Sequence, residues 1–410
     1  MTRRARIALL IDTATAWGSG IIEGIAEYAH AHEDWQFMLG PRGKYDQSLL
    51  PAGWGGDGVI ARITSQELAD QLITLQIPSV NVSWYRFGEN TIPRCTSDER
   101  AVAALAAKYF IDLGFRQFAY CGSAIRPNYV DRFCEAFVEI LQRRTYPCHC
   151  HISNWHPDSI MPPASEFERL VEWLRGLSKP VGLLAFDSVQ ARQVTEACEE
   201  SGIHVPHEVA VLGGEHDLLN CTISKPQLSS IDQAPRRVGY SAAELLSRMI
   251  AGEAPPREPI LLAPDRIITR QSTDTVAVDD DLLANAVRFI KKHSHERIQV
   301  GDILAEVPIS RRALEKGFRK WFGRSPAEEL RRIRVDRATQ LLCDTSWSMP
   351  QVASAVGFVR PELLTRAFRR ELRTTPSEFR RQHLCGRRAS GPAHEIPLNG
   401  QERTGETNEN

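Results

Sequence analysis

The first 270 residues alternate short apolar runs with amphipathic helical segments. Apolar runs of four to six residues predict buried strands at residues 7–11, 36–39, 58–61, 79–82, 117–121, 181–186, 209–213 and 228–231. Apolar positions three and four apart predict helices between them, at residues 20–30, 67–75, 99–113, 131–143, 166–174, 189–201 and 236–250. This alternation predicts parallel sheets covered by helices. The region exceeds one comfortable core, so we predict two α/β lobes, with ligands bound beyond the strand ends.

The C-terminal third has a helical pattern that occurs twice. The segment SRRALEKGFRKWFGRSP is followed fifty residues later by RPELLTRAFRRELRTTP. In both copies a leucine and a phenylalanine lie four residues apart, and a proline follows the phenylalanine by eight. An internal repeat takes precedence over other interpretations, and this one predicts a duplicated helix-turn-helix unit in an all-α domain.

The second helix of each unit has a buried apolar face and a polar face rich in arginine. The polar positions are Arg311, Arg312, Glu315 and Lys316 in the first copy and Arg360, Glu362, Thr365 and Arg366 in the second. Charge alone would favour a solvated basic helix in an ordinary bundle, because charge runs usually lie on the solvated surface. The duplicated turn and spacing instead favour two recognition helices for the major groove of DNA, where arginine reads guanine edges.

Residues 282–381 resemble the DNA-binding domain of the AraC/XylS family. The second unit carries the motif as Gly357-Phe358, Phe368-Arg369-Arg370 and the segment TPSEFR. One departure is Pro361, early in the second recognition helix. Proline suits a first helical turn, where its missing N–H would have no partner in the helix.

The preceding region resembles the sugar-binding core of the LacI/GalR repressors, which has the periplasmic-binding-protein fold. The resemblance is carried by RIALLID, TSDERAVAALAAKYFIDLGFRQFAYCG, GLLAFDSVQARQV and VPHEVAVLGGEHD. The chain starts at the first core strand, so we expect the helical repeats to replace the N-terminal DNA-binding headpiece of those repressors. This order of domains is similar to that of bacterial activators that respond to D-xylose.

The expected organisation has four parts. A sugar-sensing domain covers residues 1–272, a polar linker residues 273–281 and a DNA-binding domain residues 282–385. Residues 386–410 lack a hydrophobic pattern and are expected to be disordered.

The family resemblance implies sugar contacts at strand ends, carried over onto Asp98, Arg132, Asp187, Glu215 and Gln233. Arg132 is the strongest single candidate, because an arginine fork can hold two adjacent hydroxyls; the alternative is that it pairs with Asp131 or Glu135 at the start of its helix. Glu215 replaces the shorter aspartate usual in the family, so His216 or Asp217 could take that role. Asp12 and Trp17, after the first strand, are further candidates for a hydroxyl acceptor and a stacking platform. Trp84, Tyr85 and Phe186 are alternative platforms or simple packing residues.

The overall net charge of −1 conceals an asymmetry. Residues 275–390 carry 23 Lys and Arg against 14 Asp and Glu, a net charge of +9, whereas the rest carries 27 against 37, a net charge of −10. Only the basic domain is therefore expected to meet phosphates.

The sequence gives little sign of other chemistry. Nine irregularly spaced cysteines suit a reducing cytosol. In Cys148-His149-Cys150-His151, strand alternation would separate the cysteines from the histidines, so no metal is predicted. Gly18, Gly20 and Gly24 form GxGxxxG rather than a dinucleotide loop. No cofactor, catalytic set, signal peptide or membrane span is expected.

These features predict a cytoplasmic, non-enzymatic transcription regulator. We expect it to be an activator that binds promoter DNA as a homodimer, responds to D-xylose or a related pentose, and acts on RNA polymerase. Two alternatives remain open at this point. One is a regulator of the same architecture with a different small ligand, and the other is a sugar-modifying enzyme with a basic appendage.

Overall fold

A computed structural model describes residues 3–40, 43, 49–51, 53–89, 91–122, 131–153, 164–278 and 280–383. The chain begins with an α/β lobe built on a parallel four-stranded sheet of order β2-β1-β3-β4. Its first elements are β1 (Ala5–Leu10), α1 (Ala16–His32), β2 (Trp35–Leu39), β3 (Gly58–Ala61), α2 (Gln66–Leu75), β4 (Ser79–Asn81) and β5 (Cys95–Ser97). Strands β1 and β3 are almost wholly buried, as their unbroken apolar runs predict.

The second lobe contains the next ten elements in the chain. They are α3 (Glu99–Asp112), β6 (Gln117–Gly122), α4 (Arg132–Gln142), β7 (Cys148–Ile152), α5 (Ala164–Gly176), β8 (Val181–Ala185), α6 (Ser188–Glu200), β9 (Val209–Gly213), α7 (Leu218–Ile223) and β10 (Ser229–Asp232). The chain then returns to the first lobe as α8 (Pro235–Ile250) and β11 (Ile260–Leu262), and crosses back as β12 (Arg266–Ile268). The second sheet has the order β12-β10-β9-β8-β6-β7, in which β12 is antiparallel to β10.

Three crossings of the chain therefore join the lobes. They follow β5, β10 and β11, and β11 pairs in parallel with β5 to form a short ribbon between the two sheets. Residues at these crossings are placed where the lobes meet, which is where a ligand that closes them would bind.

The glycines of helix α1 serve helix packing. A Cβ at Gly24 would lie 1.9 Å from the backbone oxygen of Arg236, and one at Gly239 would lie 2.0 Å from that of Ile21. Helices α1 and α8 therefore approach at backbone contact distance, which only glycine allows. This contact supplies a structural reason for the GxGxxxG spacing.

The C-terminal region is helical. Its elements are α9 (Asp281–His293), α10 (Val300–Glu306), α11 (Arg311–Phe322), α12 (Pro326–Asp344), α13 (Met349–Ala355), α14 (Pro361–Leu372) and α15 (Pro376–His383). Leu314 and Phe318 lie in the core formed with α9, and Leu364 and Phe368 lie in a second core on α12. Each repeat thus has its own core, and α12 joins the two.

The helical domain is held against the second lobe by ionic and backbone contacts. Asp112, at the end of α3, accepts a hydrogen bond from Nη1 of Arg324 at 2.8 Å. Arg116 donates to the backbone oxygen of Trp321 at 2.6 Å and lies over its ring. The segment before α9 is also packed, because Ala277 is buried and donates its N–H to the backbone oxygen of Leu113.

The predicted fold class is confirmed. All eight predicted strands and seven predicted helices of the first region are present within a few residues of their expected ends. Strand β7, the three-residue strands β5, β11 and β12 and the six-residue helix α7 were not among the predicted elements, although the CHCH segment in β7 was expected to alternate as a strand does. The expected linker, residues 273–281, is packed rather than solvated where Val276 and Ala277 are buried. Residues 386–410, which were expected to form a disordered tail, lie outside the described residues.

Candidate DNA-binding surface and effector cleft

The repeated Ser/Thr-Pro sequence starts the helix that closes each unit. Ser325 caps α12 by accepting the N–H of Glu328, whose carboxylate in turn accepts the backbone N–H of Ser325 at 2.9 Å. Thr375 and Glu378 make the same reciprocal pair at α15. A proline in the first turn completes each start. The hydrogen bond from the backbone of Ser325 holds the pKa of Glu328 below its ordinary value.

Gly357 forms the turn between the helices of the second unit. Its φ of +84° is a conformation that side chains disfavour, and a Cβ there would lie 2.6 Å from the backbone oxygen of Glu296. Beside it, Arg334 of α12 donates to the backbone oxygens of Ser294, Glu296 and Ile298 at 2.6–3.0 Å. The turn of the second unit is thereby fixed against the end of α9.

The two predicted recognition helices, α11 and α14, expose most of the side chains that were predicted to contact DNA. Exposed side chains are Arg311, Arg312, Lys316, Arg360, Glu362 and Arg366, while Glu315 and Thr365 are half-buried. Thr365 donates its hydroxyl to the backbone oxygen of Pro361 at 3.1 Å. Among the residues that the structure describes, none of the exposed six has an ion-pair partner. Their charges are thus available to a nucleic acid.

Sequence reasoning missed two apolar residues on the second recognition surface. Val359 is 59% exposed and Leu363 40% exposed. An exposed valine or leucine carries no motif, so only its placement beside the recognition arginines identifies it.

In the first lobe, Asp12 lies where β1 runs into α1. Its Oδ2 accepts the hydroxyl of Thr15 at 2.8 Å and lies 3.6 Å from Nη1 of Arg62. Its Oδ1 is buried and has no hydrogen-bond partner within the described structure. Arg62 also lies over the ring of Trp17, 5.7 Å from its centroid. This arrangement offers a sugar a charged acceptor beside an aromatic face.

An aromatic cluster joins the lobes next to the crossings. Trp84 of the first lobe lies 5.8 Å from Phe186 and 6.3 Å from Phe133 of the second, measured between ring centroids. Its indole N–H donates to the backbone oxygen of Ser97 at 3.3 Å. Gln233 is 3% exposed, and its side-chain amide donates to the backbone oxygen of Gly214 at 2.6 Å. The cluster and Gln233 thus lie where the lobes meet.

Two of the predicted sugar contacts, Asp98 and Asp187, have local structural roles. Asp98 and Asp187 are the N-caps of α3 and α6, and each accepts backbone N–H groups at 2.9–3.1 Å. Arg132, the first residue of α4, is exposed at its surface. Caps of this kind are common where a strand runs into a helix, so each of these aspartates stabilises the start of its helix whether or not a ligand binds.

A cavity of about 470 Å³ opens between α1, the start of α8 and the loop after β9. Its lining includes Trp17, Glu215 and Gln233 of the predicted set, together with Cys343 at the end of α12. This volume suits a small ligand. Asp12, Asp98, Arg132 and Asp187 lie outside its lining.

Glu99 is a candidate that the sequence gave no reason to select. It follows the α3 cap and has a buried Oε1 without a hydrogen-bond partner in the described part of the chain. Burial, followed by the nearby Asp131 carboxylate, raises the pKa of Glu99 to about 8. A carboxyl that keeps its proton near neutral pH can donate a hydrogen bond as well as accept one. Perturbed groups of this kind concentrate at functional sites.

The described residues contain neither a metal-binding group nor a membrane-spanning helix. No group of three or more His, Cys, Asp or Glu side chains there is arranged to hold a metal ion. None of the helices described has the length and apolar character needed to cross a membrane. In the CHCH segment, Cys150 faces Cys134 of α4, whereas His151 lies beside Trp173 and Glu166 of α5.

Comparison with known proteins assigns both regions. Residues 107–273 match the periplasmic binding protein-like domain, and residues 303–382 match the helix-turn-helix domain. The chain is therefore a DNA-binding transcription regulator that carries a periplasmic binding protein-like domain ahead of its helix-turn-helix units.

Its similarity extends over nearly the whole chain to particular relatives. It is 28% identical over 388 residues to the xylose operon regulatory protein of Haemophilus influenzae, covering 92% of this chain and 98% of that protein. It is 28% identical over 393 residues to that of Escherichia coli K12, covering 92% and 97%. The solved structure of the xylose-binding transcription activator XylR matches with a TM-score of 0.60 and 27% identity, covering 92% and 98%. These relatives are regulators, so the prediction of a regulator rather than an enzyme is confirmed.

Proposed function

We propose that this chain is a D-xylose-responsive activator of transcription. The observation that carries the proposal is the collinear similarity to xylose operon regulatory proteins, which spans both domains at 92% of this chain. A similarity confined to the helical domain would indicate DNA binding and nothing about the effector. Here the sensor, the crossings and the recognition helices are matched together.

The effector site proposed is the interlobe region around Asp12, Trp17, Glu215 and Gln233. Asp12 supports this because its Oδ1 is buried without a partner in the described structure, so a sugar hydroxyl would satisfy it. Trp17 supplies an apolar face for the C–H side of the ring. Glu215 and Gln233 line the cavity of about 470 Å³ together with Trp17, while Asp12 lies outside that lining and would meet a ligand that extends past Trp17. A ligand bridging these groups would favour one arrangement of the lobes.

Asp98, Arg132 and Asp187 remain proposed contacts of lower rank. The caps made by Asp98 and Asp187 each use Oδ1, and a capping aspartate can accept further hydrogen bonds at its second oxygen. Arg132 is exposed and lies within electrostatic range of the Glu99 carboxylate at the start of α3.

The working form proposed is a cytoplasmic homodimer that contacts RNA polymerase at promoter DNA. Helix α7 supports self-association, because Leu218, Leu219 and Ile223 are each more than half exposed. Exposed apolar residues grouped on one short element are typical of interaction surfaces. A dimer would bring four recognition helices to the operator, two from each chain.

Calorimetry with the full chain tests the effector. D-xylose is titrated alongside L-arabinose, D-ribose and D-glucose, and D-xylose is expected to bind most tightly. Asp12→Asn should weaken that binding by about 1.5–3 kcal/mol, the usual contribution of a hydrogen bond to a charged group. Asp34→Asn is the matched control, since Asp34 pairs with Arg4 on the exposed surface.

The outcomes of the titration separate the alternatives. Tighter binding of another pentose would assign this architecture to a different effector. No heat with any sugar, together with retained DNA binding, would refute the sugar-sensing part alone. Conversion of a sugar by the protein would refute the assignment as a regulator.

A further inference from the structure

The surface of α14 that faces away from its domain combines cationic and apolar side chains. The core stripe of this helix is formed by Leu364, Ala367 and Phe368, which are at most 3% exposed. Leu363 lies outside that stripe and is 40% exposed. It precedes the exposed Arg366 by three residues, a spacing that places both side chains on one helix face. Burial of Leu363 therefore requires a surface from outside this domain.

The repeat itself shows that this apolar surface is particular to the second unit. The position of Val359 is held by Ile309 in the first unit, where the isoleucine packs against the core. The position of Leu363 is held by Ala313. Val359 is instead 59% exposed and precedes the helix directly. The two recognition surfaces thus share their arginines and differ in apolar content.

The exposed residues near Leu363 suit a polyanion, and Leu363 itself suits an apolar group on the edge of a base. Arg360 and Arg366, each three residues from Leu363 in the sequence, are exposed, and such a surface suits phosphates. In the major groove, the 5-methyl group of thymine is the apolar group that a base presents. Arginine without a nearby apolar side chain would favour guanine instead.

We propose that Leu363, supported by Val359, contacts the 5-methyl group of thymine in the half-site bound by the second unit. The first unit, with Ala313 and no exposed equivalent of Val359, relies more on Arg311, Arg312 and Lys316. The operator is accordingly asymmetric within each half, with a thymine requirement under α14. This inference rests on the DNA-binding function and extends it to base specificity.

The test replaces thymine by deoxyuridine, which removes only the methyl group. Duplexes bound by the full-length protein are first selected from a random library, and each conserved thymine is then replaced singly. Wild-type protein should lose roughly fourfold in affinity at one or two thymines, the equivalent of one buried methyl group. Leu363→Ala should bind the thymine and uracil duplexes equally.

Two variants make the comparison specific. Leu75→Ala removes a leucine that is 41% exposed at the end of α2 in the sensor, close to the 40% exposure of Leu363, and it should keep the full thymine preference. Leu363→Met retains an apolar side chain of similar size, and it should keep most of that preference. Leu363 is exposed, so its truncation leaves the core of the second unit intact.

Each remaining outcome has a defined meaning. Equal binding of thymine and uracil duplexes by the wild type would overturn the inference and leave the DNA-binding function standing. A thymine preference that survives in Leu363→Ala would overturn it as well. If Leu363→Ala keeps the thymine preference but supports less transcription by RNA polymerase than the wild type, this surface contacts a protein and not the thymine methyl group. Selection of no duplex at all would refute the DNA-binding function itself.

Discussion

Asp112 offers the sharpest test of how the sensor is joined to the DNA-binding domain. Its carboxylate is 11% exposed and receives a hydrogen bond from Arg324 at 2.8 Å. Its other oxygen lies 3.9 Å from Nη1 of Arg332 and 2.5 Å from Nζ of Lys108. The perturbation is Asp112→Asn, which keeps the shape of the side chain and removes its charge.

The expected loss of unfolding free energy depends on which anionic partners Arg324 and Arg332 keep after the substitution. Removing one partner of a buried ion pair usually destabilises a protein by roughly 3–5 kcal/mol, because a charge is left uncompensated. Here Arg324 and Arg332 both retain the buried carboxylate of Glu329, which Arg332 contacts at 2.7 Å. We therefore expect a smaller loss of unfolding free energy, about 2–3 kcal/mol.

The effect should also depend on pH in a defined direction. Burial acts to raise the pKa of Asp112, but Arg332 and Arg324 more than offset it and hold the pKa below its ordinary value. A depressed carboxyl pKa contributes stability that is present above the unfolded-state value and lost as the pH falls through the folded-state value. The difference between wild type and Asp112→Asn should consequently shrink in acid.

Urea unfolding of the full chain, followed at pH 7 and again near pH 3.5, measures both quantities. Asp34→Asn serves as the control, because Asp34 and Arg4 form a pair that is about 70% exposed on both sides. Such a pair should contribute under about 1 kcal/mol. Equal losses in the two variants, or a loss for Asp112→Asn that is independent of pH, would refute the reasoning.

Three further changes test separate parts of the structure. Arg366→Ala should weaken specific DNA binding by about 1–3 kcal/mol in mobility-shift titrations while sugar calorimetry is unchanged, and a loss of sugar affinity would contradict the domain assignment. Gly357→Ala should cost at least about 1–2 kcal/mol of stability in thermal unfolding, because alanine is strained at a φ of +84° and its Cβ meets the backbone of Glu296. Burial raises the folded-state pKa of Glu99 from the ordinary value of 4.5 to about 8, so stability falls as the pH rises between these two values and the fall is complete above pH 8. Glu99→Gln should therefore flatten the fall in melting temperature between about pH 5 and 8, and parallel wild-type and variant curves would contradict this.

The periodicity of the sequence predicted the fold because the long elements are decided by local burial. Strands β1, β6, β8 and β9 are continuous apolar runs, and their helices have strong caps. The short strands β5 and β11 pair only with each other. Three residues carry too little pattern to predict a strand, and this pairing depends on segments about 160 positions apart.

The candidate sites were predictable to different degrees. The helices predicted for DNA recognition, α11 and α14, lie where the duplicated spacing placed them, and six of their eight named side chains are exposed. Their contact with DNA stays a prediction. The effector site was less predictable, because an aspartate at a strand end can cap a helix, as Asp98 and Asp187 do. Glu99 escaped notice for a related reason: two of the charges that act on it, Asp131 and Arg132, lie far from it in the sequence, which no local pattern reports.

Helix α3 supplies a physical route between the two candidate sites. It begins beside the β5 crossing with Asp98 and Glu99 and ends at Asp112, about 21 Å away for fourteen residues. A sugar can shift the DNA-binding domain only by the difference between its affinities for two arrangements of the protein. If closure of the lobes moves the start of α3, the contact between Asp112 and Arg324 must either follow or break. Asp112→Asn should therefore weaken the effect of sugar on DNA affinity more than it weakens sugar binding itself, and an undiminished sugar effect would place the coupling in another part of the interface.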